Sequence, residues 1–282
     1  MDIRNEVINS TQQKHDHVTY NYPDVNITMD IGKYRKKQED SALFLEHPCD
    51  KDIKLLSVAD GMGGLENGAE ASNLAMRILI NWFENMPINN FMIEQKILQL
   101  TKDILIQIDE IVRKKCYDGG TTISMAIISK NNTFCFNVGD SRIYIKNNVL
   151  KQITNDMNLS WRLYKENIIS KDDIRFHKNN NLITAKLGGK KNNLIIENRV
   201  LNNNDYENML LVTDGITDCL TDTQINKIIN SVEDFEISSK IVELACDNNS
   251  VQNYLNFKDF YNNVNGGKDN ATCVTYTKYK RR

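Results

Sequence analysis

The sequence predicts a mixed α+β fold, and three observations carry that prediction. Ile53 to Ala59 is a mostly apolar run with the texture of a buried strand, and an alanine-rich helical run begins a few residues later. Two further stretches, together reaching from Ala71 to Lys115, repeat apolar residues at helical spacing. From Gly119 onward the chain breaks into short β-type runs separated by asparagine-rich turns.

The chain is organised around the stretch IKLLSVADGMGGLENGAEAS, Ile53 to Ser72. Asp60 sits at the carboxyl end of the apolar run, and Gly61, Met62, Gly63 and Gly64 follow, so the pattern is strand, turn, helix. Glycines there permit positive φ and let the backbone approach a ligand without a Cβ in the way. The Gly61 carbonyl beside the Asp60 carboxylate then offers two oxygens to a hard cation. An ordinary glycine turn capping a strand is the alternative, and this stretch by itself leaves both open. Dinucleotide binding fails on spacing, because after Gly61 and Gly63 the position for a third glycine holds Glu66.

A chain of 282 residues with 40% hydrophobic residues can bury a sizeable core as one large domain or two small ones. The net charge of -2 and the lack of any long basic run give no footprint for nucleic acid, and the basic residues from Lys278 to Arg282 read as a solvated tail. No apolar stretch is long enough for a membrane span and no secretory layout opens the chain, so a soluble, cytoplasmic protein is expected. Six cysteines scattered singly, with no CxxC pair, read as reduced thiols that mostly fill the core.

In order, residues 1 to 27 read as a polar extension or first edge strand, with His15 and His17 as the only metal-like pair and no second cluster to join. Arg35, Glu39 and Asp40 lead into a strand from Ala42 to Leu45. Ala71, Leu74, Ala75, Ile78, Leu79, Trp82 and Phe83 give a one-faced helix. A second runs from about Asn90 and ends in Arg113, Lys114 and Lys115, where cations suit the helix dipole; the pair should form one outer layer. Strands are expected at Thr121 to Ser129, Thr133 to Val138, Arg142 to Lys146 and Val149 to Ile153, with Gly139-Asp140-Ser141 in a tight turn. Residues 155 to 190 read as an irregular helical insert. Strands resume at Asn193 to Leu201 and Met209 to Thr213, and the latter ends in Asp214-Gly215, repeating the design of Asp60-Gly61. Thr221 and Gln224 have capping-box spacing ahead of Ile225, Ile228 and Ile229. A helix from Ser238 to Cys246 and a strand from Ala271 to Thr277, preceded by Asp269, complete the pattern.

Glu39, Asp40, Asp60, Asp140, Asp214 and Asp269 all adjoin apolar strands, most of them in glycine-containing turns. One acid in such a place means little. Several at the mouths of buried strands repel one another unless cations compensate them. Oxygen-only ligands point to magnesium or manganese, since zinc sites usually bring histidine or cysteine and all four histidines lie elsewhere. Paired hard cations polarise a water between them and clamp a phosphoryl oxygen, which suggests phosphoester hydrolysis. A covalent cysteine mechanism lacks an arginine six residues after any cysteine, and no phosphate-binding glycine loop with its lysine is present for ATP hydrolysis.

The ordered motifs Arg35-x-x-Gln38-Glu39-Asp40, Val58-Ala59-Asp60-Gly61-Met62-Gly63-Gly64, Gly120-Thr121-Thr122, Gly139-Asp140-Ser141-Arg142, Thr213-Asp214-Gly215 and Asp269-Asn270-Ala271-Thr272 span most of the chain. In these the sequence resembles the metal-dependent protein phosphatases of the type 2C (PPM) family, in its bacterial form. The resemblance implies a four-layer αββα sandwich of two antiparallel sheets flanked by helices, with metals at one end and a flap subdomain beside them. It implies a PPM-type domain over 28–282 with the flap insert at about 155–190. It also implies hydrolysis of phosphoserine and phosphothreonine by water, without a covalent intermediate. By the same resemblance Asp60 would bridge two Mn2+ or Mg2+ ions and the Gly61 carbonyl would bind one. Glu39, Asp214 and Asp269 would hold the other, partly through water, and Asp140 with Asp214 would form a weaker third site. Asp40 would orient a water or ligand, and Arg35 would clamp the phosphate with its planar fork. A surface arginine paired with Glu39 or Asp40 is the alternative for Arg35. Arg142, inside a strand start, is assigned to structure.

Several positions depart from the family pattern. Met157 stands where a histidine follows the aspartate, Lys178 where proline often follows His177, and Lys186 where arginine is usual, which bears on flap contacts and substrate choice. Gln38 replaces an asparagine, and Met62 stands where animal members place a proton-donating histidine. The implied partners are phosphorylated proteins, substrates of a Ser/Thr protein kinase and reached in trans, with no nucleic acid and no membrane. A non-catalytic phosphoprotein-binding or regulatory module of the same fold, and a phosphatase dedicated to a partner-switching pathway, are the other readings.

Overall fold

The computed structural model describes residues 17–63, 67–170, 174, 177, 182–189, 194–247 and 266–278. One sheet has the strand order β10(Glu197–Asn202), β7(Asn132–Val138), β6(Ile123–Ile128), β4(Asp50–Met62), β3(Asp40–His47), with β5(Gly120–Thr121) paired to the end of β4. The other runs β1(Val18–Asn21), β2(Val25–Asp30), β12(Ala271–Thr277), β11(Asn208–Val212), β8(Arg142–Lys146), β9(Leu150–Gln152). Every pairing in both is antiparallel.

Side-chain alternation builds the four layers. Along β3, Leu43 and Leu45 face outward against Ala71, Leu79 and Phe83 of α1(Asn67–Glu84) and Ile97, Leu105 and Ile108 of α2(Glu94–Lys115). Ala42 and Phe44 of the same strand face inward, where they join Ile27, Met29, Ile143, Met209, Leu211 and Val274 of the second sheet. Leu210 and Val212 of β11 point the other way, against Ile225 and Ile228 of α5(Asp222–Ile229) and Ile241 and Val242 of α6(Ile237–Cys246). Central strands buried on both faces explain why they read as continuous apolar runs rather than alternating ones. The expected αββα sandwich is therefore present.

Several expected bounds differ. β4 reaches Met62 instead of stopping at Ala59, because Gly61 and Met62 find partners in Thr121 and Gly120. The run Thr121 to Ser129 is split at Thr122 into β5 and β6, and of the run Asn193 to Leu201, whose first residue lies outside the described residues, the described part pairs from Glu197. α2 begins at Glu94; Ile88–Met92 forms a 3₁₀ turn and Ile93 is extended. The edge strand expected before residue 28 is β1, but β2 starts at Val25, is buried throughout and lies inside the sheet between β1 and β12, so it crosses that boundary. Within the flap insert the described helix is α3(Leu159–Lys165), capped by the Asn158 side chain, which accepts from the Trp161 N–H at 2.9 Å. The Thr221–Gln224 capping box on α5 is formed as expected. All six cysteines are free thiols, four of them buried. Among the described residues no helix is long and apolar enough to cross a membrane.

Candidate active site

One end of the sandwich collects the acids, and strand register explains why. Asp40 opens β3 directly opposite Asp60 near the end of β4. Asp140 precedes β8, Val212 ends β11 opposite Arg142, and Asp269 precedes β12, whose Cys273 lies opposite Val212. Antiparallel order thus brings the starts of β3, β8 and β12 beside the ends of β4 and β11.

Each acid is held by its backbone neighbours. The Asp60 N–H donates to the Thr122 hydroxyl at 2.9 Å, and the Thr121 hydroxyl donates to the Asp60 carbonyl at 3.0 Å, so the Gly120-Thr121-Thr122 motif anchors Asp60. The Asp40 carboxylate accepts from Thr213 at 2.8 Å and Thr272 at 2.6 Å through one oxygen. Asn270 fixes the loop before β3: its side chain accepts from the Glu39 N–H at 2.7 Å and donates to the Ile31 and Lys37 carbonyls at 2.9 and 3.0 Å. Gln38 accepts from the Asp40 N–H at 3.1 Å, so the longer amide still orients this loop.

Glycines matter here through space more than through φ. Gly61 does not adopt positive φ, contrary to the expectation for the turn; Gly63 does, at 152°. A methyl on Gly61 would lie 2.1 Å from the Gly68 carbonyl oxygen. A methyl on Gly68, in the first turn of α1, would lie 2.6 Å from Glu39 Oε1 and 2.9 Å from the Gly61 carbonyl oxygen. Two of the expected ligand oxygens therefore border one small hollow, and its third wall is a glycine that the sequence reading did not single out.

Asp214 and Gly215 do not repeat the geometry of Asp60 and Gly61. They open the short helix α4(Asp214–Thr217), and a methyl on Gly215 would meet the Asn270 carbonyl oxygen at 2.0 Å. This contact places Asp214 beside the Asp269–Asn270 segment. A cavity of about 20 Å³ is lined by Asp140, Asp156, Asp214 and Asp218 together with Asn158 and Arg142, large enough for a water or an ion. Asp218 was not foreseen; its only signal was its place one helical turn after Asp214.

Burial and mutual repulsion dominate the electrostatics of the polypeptide by itself. Burial, then the charges of Asp40, Asp269 and Asp140, push Asp60 well above the ordinary carboxylate range, with Asp214 beside it pulling the other way. Asp214 is displaced the same way by burial, then by Asp60 and Asp218. Burial raises Asp40 to about 7 despite its two hydroxyl donors, and burial with Asp156 raises Asp140 to about 7. Glu39 is also raised by burial, against the pull of Arg35. One carboxylate oxygen each on Asp40, Asp140 and Asp214 is buried without a hydrogen-bond partner.

Arg35 is the cation at this cluster. Its guanidinium donates to Asp269 at 2.6 Å and approaches Glu39 at 3.5 Å, while its side chain stays 45% exposed. Burial works against its charge, but Asp269 and Glu39 outweigh it and the pKa rises. The alternative pairing is thus met for Glu39, with Asp269 in place of Asp40. Among the described residues no three acid, histidine or cysteine side chains converge on one point as a metal site.

Arg142 has the structural place assigned to it, forking onto Asp156 at 2.6 to 3.0 Å and so tying the flap's first residues to β8. Met157 fills the histidine position by accepting from the Gly139 N–H through sulfur at 3.4 Å. Lys186 is half-buried, which lowers its pKa; Lys178 and His15 lie outside the described residues. His17 is apart from the acid cluster, paired with Asp30 at 2.7 Å.

The family model described as protein phosphatase 2C matches residues 38–250. The serine/threonine phosphatase stp of Listeria welshimeri is 30% identical over 209 residues, covering 72% of this chain and 81% of the relative. Protein phosphatase PhpP of Streptococcus pneumoniae is 27% identical over 271 residues, covering 89% and 96%. The crystal structure of serine/threonine phosphatase Stp1 from Staphylococcus aureus matches with a TM-score of 0.76 at 25% identity, covering 95% of this chain and 99% of that one. The chain belongs to the protein phosphatase 2C family and is a protein serine/threonine phosphatase.

Proposed function

We propose that the protein hydrolyses phosphoserine and phosphothreonine in proteins using two divalent cations, Mn2+ or Mg2+, with water as the nucleophile. The observation that carries this reading is the gathering of four aspartates at one end of the sandwich, Asp40 and Asp140 buried and Asp60 and Asp214 half-buried, three of them with a buried carboxylate oxygen lacking a partner. Uncompensated buried carboxylates are costly, and an all-oxygen donor set suits a hard cation.

The residues fit that role. Asp60 would serve both ions, the Gly61 carbonyl would take one, and Glu39, Asp214 and Asp269 would take the other, partly through water, although Glu39 borders the same hollow beside Gly68 as the Gly61 carbonyl. Asp140 with Asp214 would hold a third ion in the cavity that Asp218 also lines. Bound there, divalent cations supply Lewis acidity, acidifying a water and neutralising charge on phosphoryl oxygens.

The chain's own groups do the rest. Arg35, exposed at the rim, exchanges its hold on Asp269 for two phosphate oxygens, a task its planar fork suits. Asp40, fixed through one oxygen by Thr213 and Thr272, keeps the other free to accept from and orient a water. Met62 has no proton to give, so the leaving hydroxyl is protonated by water. Phosphoproteins made by a Ser/Thr protein kinase are the substrates, met in the cytoplasm.

The test is phosphate release from a phosphothreonine peptide with manganese, with magnesium and with chelator, beside Asp60→Asn and Asp214→Asn. Metal-dependent release that both substitutions abolish is the expected result. A folded, cation-binding protein with no release under any condition would overturn the hydrolytic reading and favour a phosphoprotein-binding module.

A further inference from the structure

A groove of about 630 Å³ lies away from the acid cluster, between α3 of the flap and the strands β9 and β10. Two features of the fold meet in it. β9 is the last strand of one sheet and β10 the last strand of the other, so each has an edge with no strand partner among the described residues. The Asn203 N–H donates to the Asn131 carbonyl, which sets Leu201, Arg199 and Glu197 in hydrogen-bonded register with β7. By the alternation of an antiparallel ladder, Asn198 and Val200 then turn their backbone N–H and C=O groups outward. Val200 lines the groove and is one of the exposed large apolar residues.

The charge of the groove is opposite to that of the chain. Lys151, Lys165 and Arg199 line it against a single acid, Asp222, in a protein whose net charge is -2; Arg199 is paired with Glu197 at 3.1 Å, so the surplus is carried by the two lysines. Asp222 is already engaged by the Tyr144 hydroxyl at 2.9 Å and by Arg142 at 3.6 Å. Lys165 lies over the rings of Trp161 and Tyr164, which are packed edge to face at 5.5 Å and give the groove an apolar wall. The Trp161 indole N–H is buried without an acceptor. Free strand edges, an aromatic wall and the two surplus lysines together describe a receptor for an extended chain that brings carbonyls and carboxylates.

We propose that this groove docks an extended acidic segment of the phosphoprotein substrate, laid along the free edge of β10, with Lys151, Lys165 and Arg199 facing its carboxylates. The proposal rests on the hydrolytic reading above and adds substrate choice to it. The path between the two places is short in structural terms: Arg142 and Asp156 line the cavity of Asp140 and Asp214, and Arg142 reaches Asp222 in the groove wall. An extended peptide gains about 3.3 Å per residue, so about ten residues between the phosphoresidue and the acidic run leave ample reach.

The experiment compares two phosphothreonine peptides with the same core, one carrying a run of glutamates about ten residues away and one carrying glutamines there. The native protein is expected to turn over the glutamate peptide with a KM at least about fivefold lower at similar kcat, a preference that fades as salt rises from about 0.05 to about 0.5 M. Lys165→Glu with Arg199→Glu should erase the preference while leaving hydrolysis of p-nitrophenyl phosphate at the native rate. Equal KM values in the native protein, or a preference that survives the double substitution, would overturn the docking site. So would a loss shared equally by both peptides and p-nitrophenyl phosphate. Docking is also read without catalysis, by fluorescence anisotropy of the unphosphorylated glutamate peptide on the native protein and the double variant. If no substrate is hydrolysed, the phosphatase reading has failed, and binding to the native protein alone still sustains the groove, whereas no binding refutes it.

Discussion

Gly68→Ala is the substitution that separates folding from cation binding at this site. Position 68 lies in the first turn of α1, where alanine is the better helix former by about 1 kcal/mol. Against that gain stands a methyl 2.6 Å from Glu39 Oε1 and 2.9 Å from both the carbonyl carbon and oxygen of Gly61, where ordinary contact begins near 3.4 Å. The gap must open by half an ångström or more, and overpacking of this order costs about 1–3 kcal/mol. The two effects nearly offset, so Tm should change by anything from zero to a fall of about 8 °C. Cation binding has no such compensation, because the carboxylate that can move is Glu39 and the oxygen that cannot is the Gly61 carbonyl. The manganese concentration for half-maximal activity should rise about 10- to 100-fold. The control is Gly119→Ala, whose methyl would lie 2.8 Å from Asn67 Cβ and so strains the same helix start without touching Glu39 or Gly61. It should lose stability while keeping the native manganese requirement. A Gly68→Ala protein with native manganese dependence would refute the assignment of the hollow as a cation site.

Three other outcomes follow from the same structure. Because burial holds Asp40 and Asp140 at about 7 in the folded chain, against 3.8 when unfolded, the folded state binds more protons between those values, and stability falls as pH rises through that window. A tenfold change in proton affinity is worth about 1.4 kcal/mol, so the ceiling is about 4 kcal/mol for each acid; in chelator, Tm should be lower at about pH 7.5 than at about pH 5, and manganese should raise it more at the higher pH, the reverse order refuting the argument. Asn270→Ala strands the Glu39 N–H and the carbonyls of Ile31 and Lys37, costing about 2–4 kcal/mol in urea unfolding and lowering kcat even at saturating manganese. Thr221→Ala removes the α5 cap, far from the acids, and should lower stability by about 1 kcal/mol with kcat/KM unchanged.

What was legible in the sequence was what periodicity and turn chemistry encode. The apolar stripes of α1 and α2, the Thr221–Gln224 cap, and β8 and β12 were found at or near their true bounds because each rests on local pattern. What was missed depends on partners distant in sequence. β2 read as part of a polar extension because its burial comes from lying beside β12, about 240 residues away. Gly68 carries no local signal at all; its importance appears only once Glu39 and Gly61 are folded against it. Asp218 carries no signal beyond lying four residues after Asp214, until the fold brings Asp140 beside it ahead of β8.

The apparent repetition of Asp60-Gly61 and Asp214-Gly215 shows where pattern and geometry part. In the first, the glycine continues a strand, and the absence of a side chain lets the Gly68 carbonyl of α1 approach, so that the Gly61 carbonyl and the Glu39 carboxylate border the same hollow beside Gly68. In the second, the strand stops at Val212, Thr213 caps backward onto Asp40, and the glycine lets the first turn of α4 press on the Asn270 carbonyl. One dipeptide thus lies where the proposed cation site would draw on its carbonyl, and the other packs on Asn270 beside the joint that Asp40, Thr213 and Thr272 make between the two sheets. The two aspartates end close enough to perturb each other's ionisation although neither their strands nor their turns are equivalent. It follows that substitutions at the two glycines should differ in kind. If the proposed cation site is right, a side chain at Gly61 displaces one of its oxygens and its effect should be relieved in part by excess manganese, whereas a side chain at Gly215 presses on Asn270 at the start of β12 and no concentration of cation should restore the fold.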